Sequence, residues 1–162
     1  KQRQMLKDAI DFKLVEALMA NGRISFADLA SLVGLSAPAV AERVRGLEHR
    51  GVIRGYAALG DPIQLGCSVT AFVAVALERP EHRAPFAELI RELPEVQECH
   101  HIAGDFDYML KVRCAALLDL ERIVGEHIKG LAGVVRTRTT IALSAVKETP
   151  ALPLPVIPGS ED

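Results

Sequence analysis

The stretch SFADLASLVGLSAPAVAERVRGLEHRG, residues 25–51, decides the reading of this 162-residue chain. Ser25, with Asp28 three residues on, has the form of a capping box in which Asp28 replaces the usual Glu or Gln. Leu29, Leu32 and Val33 follow as a short apolar stripe at helical spacing. Gly34 breaks that pattern, and Ser36 can cap a further helix. Pro38 stands in the first turn of that helix, where a missing N–H does little harm. Gly51 ends it. Two helices joined by a short glycine-containing turn make a helix-turn-helix candidate.

Drawn as a wheel at about 100° per residue, the second of these helices turns Val40, Val44 and Leu47 toward one side. The opposite side carries Pro38, Ala41, Glu42, Arg45 and His49. A recognition helix presents its early exposed residues to base edges while flanking cations meet phosphates. On that logic Glu42 and Arg45 read bases, and Arg43, Arg50 and Arg54 touch the DNA backbone. The competing reading is a solvated face on a three-helix core.

Working outward, DFKLVEALMANG (11–22) is a helix that precedes the motif, with Leu14, Val15, Leu18 and Met19 at helical spacing. Asp11 can cap its start, and Gly22 stands where a left-handed C′ residue is wanted. On the other side, VIRGYAALGD (52–61) is β-prone, of the kind that forms a wing or an inter-subunit strand. Gly60, Asp61, Pro62 and Gly66 then punctuate a linker. The expected division is therefore a DNA-binding domain over 1–51, a strand and linker over 52–66, a second domain over 67–148, and a proline-rich tail over 149–162.

The second domain changes period. SVTAFVAVALE (68–78) is an almost unbroken apolar run, too short for a membrane span, and reads as a buried central strand. Phe86, Leu89, Ile90 and Leu93 recur at helical spacing until Pro94. VQECHHIA and YMLKVRC are strands joined by GDFD (104–107), LLDLERIVGEHIKGL is a second amphipathic helix, and VVRTRTTIALSAV a last strand. The order βαββαβ predicts an α+β, ferredoxin-like sheet with both helices on one face. The other face is left bare and partly apolar, the kind of surface that pairs with a copy of itself.

Composition bounds the function. Hydrophobic residues at 49% and charged residues at 25% fit a soluble globular protein. The polar opening KQRQMLKDAID does not read as a signal peptide, and three scattered cysteines (67, 99 and 114) fit a reducing cytoplasm. The net charge of −2 hides an asymmetry: residues 1–60 hold nine Lys/Arg against six Asp/Glu, and residues 61–162 ten against fifteen. A basic front is a weak sign of nucleic-acid binding.

ECHHIAGDFDYMLKV (98–112) gathers a cysteine, two histidines and two aspartates, and so invites an enzyme or metal reading. In a strand Cys99 and His101 share one face while His100 takes the other. That arrangement supplies no base bonded to a nucleophile with a third group orienting it. No repeated ligand spacing supports structural zinc, and no phosphate loop is present. The expectation is no catalytic residue, no metal and no cofactor.

A helix-turn-helix followed by a small ferredoxin-like domain resembles the Lrp/AsnC, or feast/famine, family of transcriptional regulators. GRISFADLASLVGLS with RVRGLEHRGVIRGYAAL looks like that family's DNA-binding signature, ECHHIAGDFDYMLKV like its sensor domain, and VVRTRTTIAL like its last strand. The resemblance covers roughly residues 8–148. It implies double-stranded DNA as a partner, on a pseudo-palindromic site, and a dimer assembling to an octamer. It also implies an amino-acid effector bound where dimers meet, and genes of amino-acid metabolism as targets.

Carried over position by position, the effector-binding set is His101, Gly104, Asp105, Asp107, Leu117, Thr140, Ile141 and Ala142. His101 stands where the family commonly has leucine, and Thr140 where it often has an aromatic. Both changes make the site more polar and point away from leucine, toward a small, polar or aromatic amino acid. For Asp105 and Asp107 the alternative role is capping their own turn. An effector-binding assembly module without DNA binding is a further alternative, opposed by the presence of the N-terminal arginines.

Overall fold

The computed structural model describes residue 6 and residues 8–155. It divides into two compact units: residues 60–147 form one, and the first 59 residues, joined by those from Glu148 on, form the other. The part of the tail after residue 155 lies outside the described residues.

Three helices build the first unit: α1 (Ala9–Ala20), α2 (Phe26–Val33) and α3 (Ala37–His49). Each begins on a side-chain cap. Asp8, not Asp11, caps α1, accepting from the Asp11 N–H at 3.0 Å. Ser25 accepts from the Asp28 N–H at 3.1 Å and donates its hydroxyl to the Asp28 carboxylate at 2.6 Å. Ser36 accepts from the Ala39 N–H at 3.4 Å. Leu14, Leu29, Val40, Val44 and Leu47 are fully buried between the helices. Leu32, placed in the α2 stripe by spacing, instead points outward at 54% exposure.

Gly34, at φ 69°, makes the left-handed stop after α2 that favours glycine, and Gly51 adopts the same φ after α3. Gly22 does not play that part. α1 ends at Asn21, whose N–H donates to the Ala17 carbonyl at 2.9 Å, and Gly22 is among the glycines without positive φ. A Cβ there would meet the Tyr56 ring at 3.6 Å, so its small size serves close packing instead.

Val52–Leu59 forms no strand within this chain. A strand needs a neighbour for its N–H and C=O groups. Here Val52 and Ile53 donate back to the Leu47 carbonyl, and Tyr56 donates its hydroxyl to Glu48 at 2.9 Å.

In the second unit β1 (Val69–Leu77), α4 (Arg83–Glu92), β2 (Val96–His101), β3 (Tyr108–Cys114), α5 (Leu117–Arg122) and β4 (Val134–Ala142) follow in the expected order. The strands form one antiparallel sheet in the order β2-β3-β1-β4. Ala71, Val73 and Val75 alternate onto the helix-covered face, where they meet Phe86 and Ile90 of α4 and Leu120, Ile123 and Ile128 beyond.

The helix begun by α5 widens into a π-helical turn over Ile123–Ile128, closed by the Lys129 N–H on the Val124 carbonyl at 3.0 Å. Winding by i→i+5 bonds brings Ile123 and Ile128 onto one buried face. The opposite face of the sheet carries Phe72, Ala74, Ala76 and Met109, with Phe106 and Ile102 folded over it from the hairpin. Phe72 is 41% exposed, so this face is partly apolar and uncovered in the single chain.

Candidate functional site

The outer side of α3 carries most of the residues that the sequence assigns to DNA. Ser36, Pro38, Glu42, Arg45 and His49 are exposed and Ala41 is half-buried. Val40, Val44 and Leu47 fix this orientation by filling the core from the other side. Arg54 lies just beyond the helix and is also exposed.

Arg43 and Arg50, read from the sequence as DNA-backbone contacts, also bond within the unit. Arg43 Nη1 lies 2.8 Å from Asp11 Oδ1 and 3.2 Å from Asp8 Oδ2, and Arg50 Nη2 lies 2.9 Å from Asp11 Oδ2. Arg50 Nε donates to the Gly46 carbonyl at 3.2 Å. Asp11 is the buried member, its side chain 7% exposed. Arg43 of α3 and Arg50 at its C-cap thus close over one acid of α1 and tie the two helices together.

Hydrogen bonds and charge from Asp11 and then Asp8 raise the Arg43 pKa. The Asp11 N–H, with help from Arg43, holds the Asp8 carboxyl below its ordinary value against the opposing effect of burial. This clamp escaped the sequence reading, although a signal exists. Arg43 and Arg50 are seven residues apart and share one helix face, as do Asp8 and Asp11 three apart.

The second constellation surrounds the hairpin between β2 and β3. Gly104, at φ 149°, supplies a backbone conformation that side chains rarely adopt. Asp107 is held at both ends. Its N–H donates to the Val75 carbonyl at 2.9 Å, its carbonyl accepts from Ile102 at 2.9 Å, and its Oδ2 accepts from the Leu77 N–H at 2.8 Å. Its Oδ1 faces Arg83 of α4 at 4.0 Å. Asp105 is exposed, and its carbonyl accepts from Arg136 at 2.9 Å. The His101 ring stands 5.1 Å from that of Tyr108, which in turn packs 4.7 Å from Phe86. Arg83 and Tyr108 were missed in the sequence because nothing local ties them to Asp107, which lies 24 positions after Arg83.

The remaining residues that the sequence assigns to the effector lie elsewhere. Thr140, Ile141 and Ala142 stand opposite Phe72, Ala71 and Thr70 of β1, whereas Asp107 bonds Val75 and Leu77. From Ile141 and Ala142 that is four to seven positions along β1, roughly 13–23 Å at ~3.3 Å per residue. Leu117 opens α5 just after Cys114, which stands opposite Val69, and so belongs to the same end as Ala142. One chain therefore splits the set in two: His101, Gly104, Asp105 and Asp107 at one end of the sheet, Leu117 and residues 140–142 at the other.

The Cys99–His region holds no nucleophile–base pair. His100 is bonded to Glu98 at 3.0 Å on the opposite face, and Glu98 also meets Lys111 at 3.4 Å. His100, then Lys111, hold the Glu98 carboxyl below its usual range. Partial burial raises the Cys99 thiol, which disfavours the thiolate needed for attack. Among the described residues no group of three His, Cys, Asp or Glu could hold a metal ion, and no helix is long and apolar enough to cross a membrane.

Comparison with known proteins agrees with this two-part organisation. Residues 8–48 match the AsnC-type helix-turn-helix domain, and residues 70–152 match the Lrp/AsnC ligand binding domain. The chain is 42% identical over 151 residues to the leucine-responsive regulatory protein of Haemophilus influenzae, covering 92% of this chain and 91% of that one. It is 42% identical over 145 residues to the proline dehydrogenase transcriptional activator of Rhodobacter capsulatus, covering 88% and 94%.

Among solved structures, a Neisseria meningitidis transcriptional regulator in complex with L-Met superposes with a TM-score of 0.86 at 30% identity, covering 92% of this chain and 97% of that one. A feast or famine regulatory protein from M. tuberculosis complexed with L-methionine gives 0.83 at 37% identity, covering 91% and 99%. The chain belongs to the Lrp/AsnC family of transcriptional regulators.

Proposed function

We propose that this regulator binds DNA through the outer side of α3 and is controlled by an amino acid held between dimers. The observation that carries the second half is the split of the sensor set. Two half-sites too far apart for one small molecule within a chain become one site when the hairpin end of one copy meets the β4 end of another. Related structures that contain L-methionine support an amino acid as the occupant.

Two surfaces support assembly. The uncovered sheet face, with Phe72 and Met109 beside the Ala74–Ala76–Phe106 cluster, is suited to a second copy of itself. Val52–Leu59, without a strand partner in its own chain, is suited to pair with the same segment of that copy. Dimers then join, up to an octamer, through the seams that hold the effector. Each dimer sets two α3 helices about one turn of DNA apart, roughly 34–36 Å, on a pseudo-palindromic site.

The effector favours one spacing of these helices. By reciprocity DNA shifts effector affinity by the same factor, with a coupling on the order of 1–3 kcal/mol. The targets are genes of amino-acid metabolism, and the setting is the cytoplasm. The test is a titration of the protein onto DNA from upstream of its own gene, at two salt concentrations, with and without each amino acid. Tight, salt-sensitive binding altered by particular amino acids supports the reading. Binding that none alters removes the effector half, and binding no tighter than to random DNA removes the operator.

A further inference from the structure

We propose that Arg83 is the carboxylate anchor of the hairpin half-site, taking the α-carboxylate of an amino acid while Asp107 takes its α-ammonium group. The inference rests on the amino-acid reading above and adds a residue outside the hairpin to it.

Arg83 begins α4 at the hairpin end of the sheet. Phe86, one turn further on the same side of the helix, is fully buried against Tyr108, whose ring touches that of His101. That packing holds α4, which carries Arg83, against the strand ends that carry His101 and Tyr108, next to Asp107 in the chain.

The Arg83–Asp107 contact is loose. At 4.0 Å it is longer than a hydrogen bond, and both side chains reach solvent, at 47% and 31% exposure. Among the described residues neither has another charged group within ion-pair distance. Asp107 is nonetheless held in place on its other side, where Oδ2 accepts from the Leu77 N–H. A guanidinium and a carboxylate held side by side but not joined present one cation and one anion to solvent.

A zwitterion carries the matching pair on a single carbon. Its ammonium replaces Arg83 on Asp107 Oδ1, and its carboxylate receives the guanidinium, whose planar fork suits two parallel N–H···O bonds. The exchange leaves no charge uncompensated when a second copy closes over the site. The effector's side chain is then directed along the Tyr108 and His101 rings. Recognition of both charged groups selects free α-amino acids over amines, over 2-oxo acids and over residues within a peptide.

Calorimetric titration of the full chain with each of the twenty L-amino acids, followed by the α-amide of the tightest binder, tests this. The amide keeps the ammonium and the side chain but lacks the carboxylate charge. The wild-type protein is expected to bind the acid at least roughly tenfold tighter than the amide, as a charge-assisted bidentate contact implies. In Arg83→Gln the ratio is expected to fall to about twofold, and in Arg83→Lys to lie between, since lysine keeps the charge without the fork. The lower basicity of the amide's amine affects both proteins alike and cancels in the comparison. An acid-over-amide ratio in Arg83→Gln equal to that of wild type overturns the role of Arg83 and leaves amino-acid control standing. Failure of all twenty amino acids to bind overturns the amino-acid reading itself, and this inference with it.

Discussion

Arg43 Nη1 lies 2.8 Å from Asp11 Oδ1, and this ion pair joins the first helix of the chain to the helix that would read DNA. Arg50, at the C-cap of α3, reaches the other oxygen of the same carboxylate at 2.9 Å. A buried acid under two half-exposed cations holds the rotation of α3, and hence which of its residues face outward. Asp11→Ala is expected to leave Arg50 without its acid and Arg43 with Asp8 alone, and to cost about 1–3 kcal/mol. The denaturation midpoint of the full chain checks this. An unchanged midpoint means that the apolar contacts of Leu14, Val40 and Leu47 alone set the packing.

The two arginines nearest each other in α3 are expected to behave differently. Arg45→Ala removes an exposed side chain from the outer face, so operator affinity falls by about 1–3 kcal/mol and sequence preference relaxes. Arg43→Ala acts through the clamp, lowering stability while sequence preference is kept. Competition binding against single-base variants of the operator separates them. Relaxed preference in Arg43→Ala would place that side chain on DNA instead.

Acid weakens the same clamp in a defined direction. The Asp8 carboxyl sits below its ordinary value because it accepts the Asp11 N–H and faces Arg43. A depressed folded-state pKa contributes stability above the unfolded value, near 3.8, and that contribution is lost as pH falls through the folded value. Asp8→Asn is therefore expected to flatten the stability profile below about pH 4, with little change in slope above pH 5. Thermal melts at half-unit steps of pH read this directly.

Most of the fold was legible because its signals are local. Val40, Val44 and Leu47 mark one side of α3 by period alone, and the β1 run from Val69 to Leu77 is too apolar for anything but a central strand. The misreadings come from choices that local rules leave degenerate. Asp8 and Asp11 are both of a residue type that can cap the same apolar stripe, and only Arg43 and Arg50 decide which is drawn inside. Gly22 matches a left-handed stop until Tyr56, 34 positions later, claims the space. The π turn over Ile123–Ile128 answers to the sheet beneath it, which no spacing in the helix announces. The candidate site was half legible: hairpin residues are contiguous, but Arg83 joins them only through tertiary packing, and the β4 residues lie at the other end of the sheet.

Asp107 fixes the hairpin through the Leu77 N–H and is proposed to hold the effector, and a pair of substitutions divides the two roles. Asp107→Asn keeps an oxygen for the Leu77 N–H and loses the charge, so the amino-acid response should be blunted at nearly unchanged stability. Asp107→Ala loses both and is expected to cost a further ~1 kcal/mol of stability. Equal amino-acid responses in Asp107→Asn and wild type would reduce Asp107 to a cap on the turn.

The central claim is that each effector site combines the hairpin end of one chain with the β4 end of another, and co-assembly tests it most directly. Asp107→Ala spoils the hairpin end, and Ala142→Trp fills the β4 end. Each variant alone should bind DNA without responding to amino acids. Co-expressed with different tags and purified through both, the mixed assembly contains seams where an intact hairpin meets an intact β4 end. The account predicts that these seams restore a partial amino-acid response in operator binding. A mixed assembly as unresponsive as either variant alone would contradict it and place the effector within a single chain.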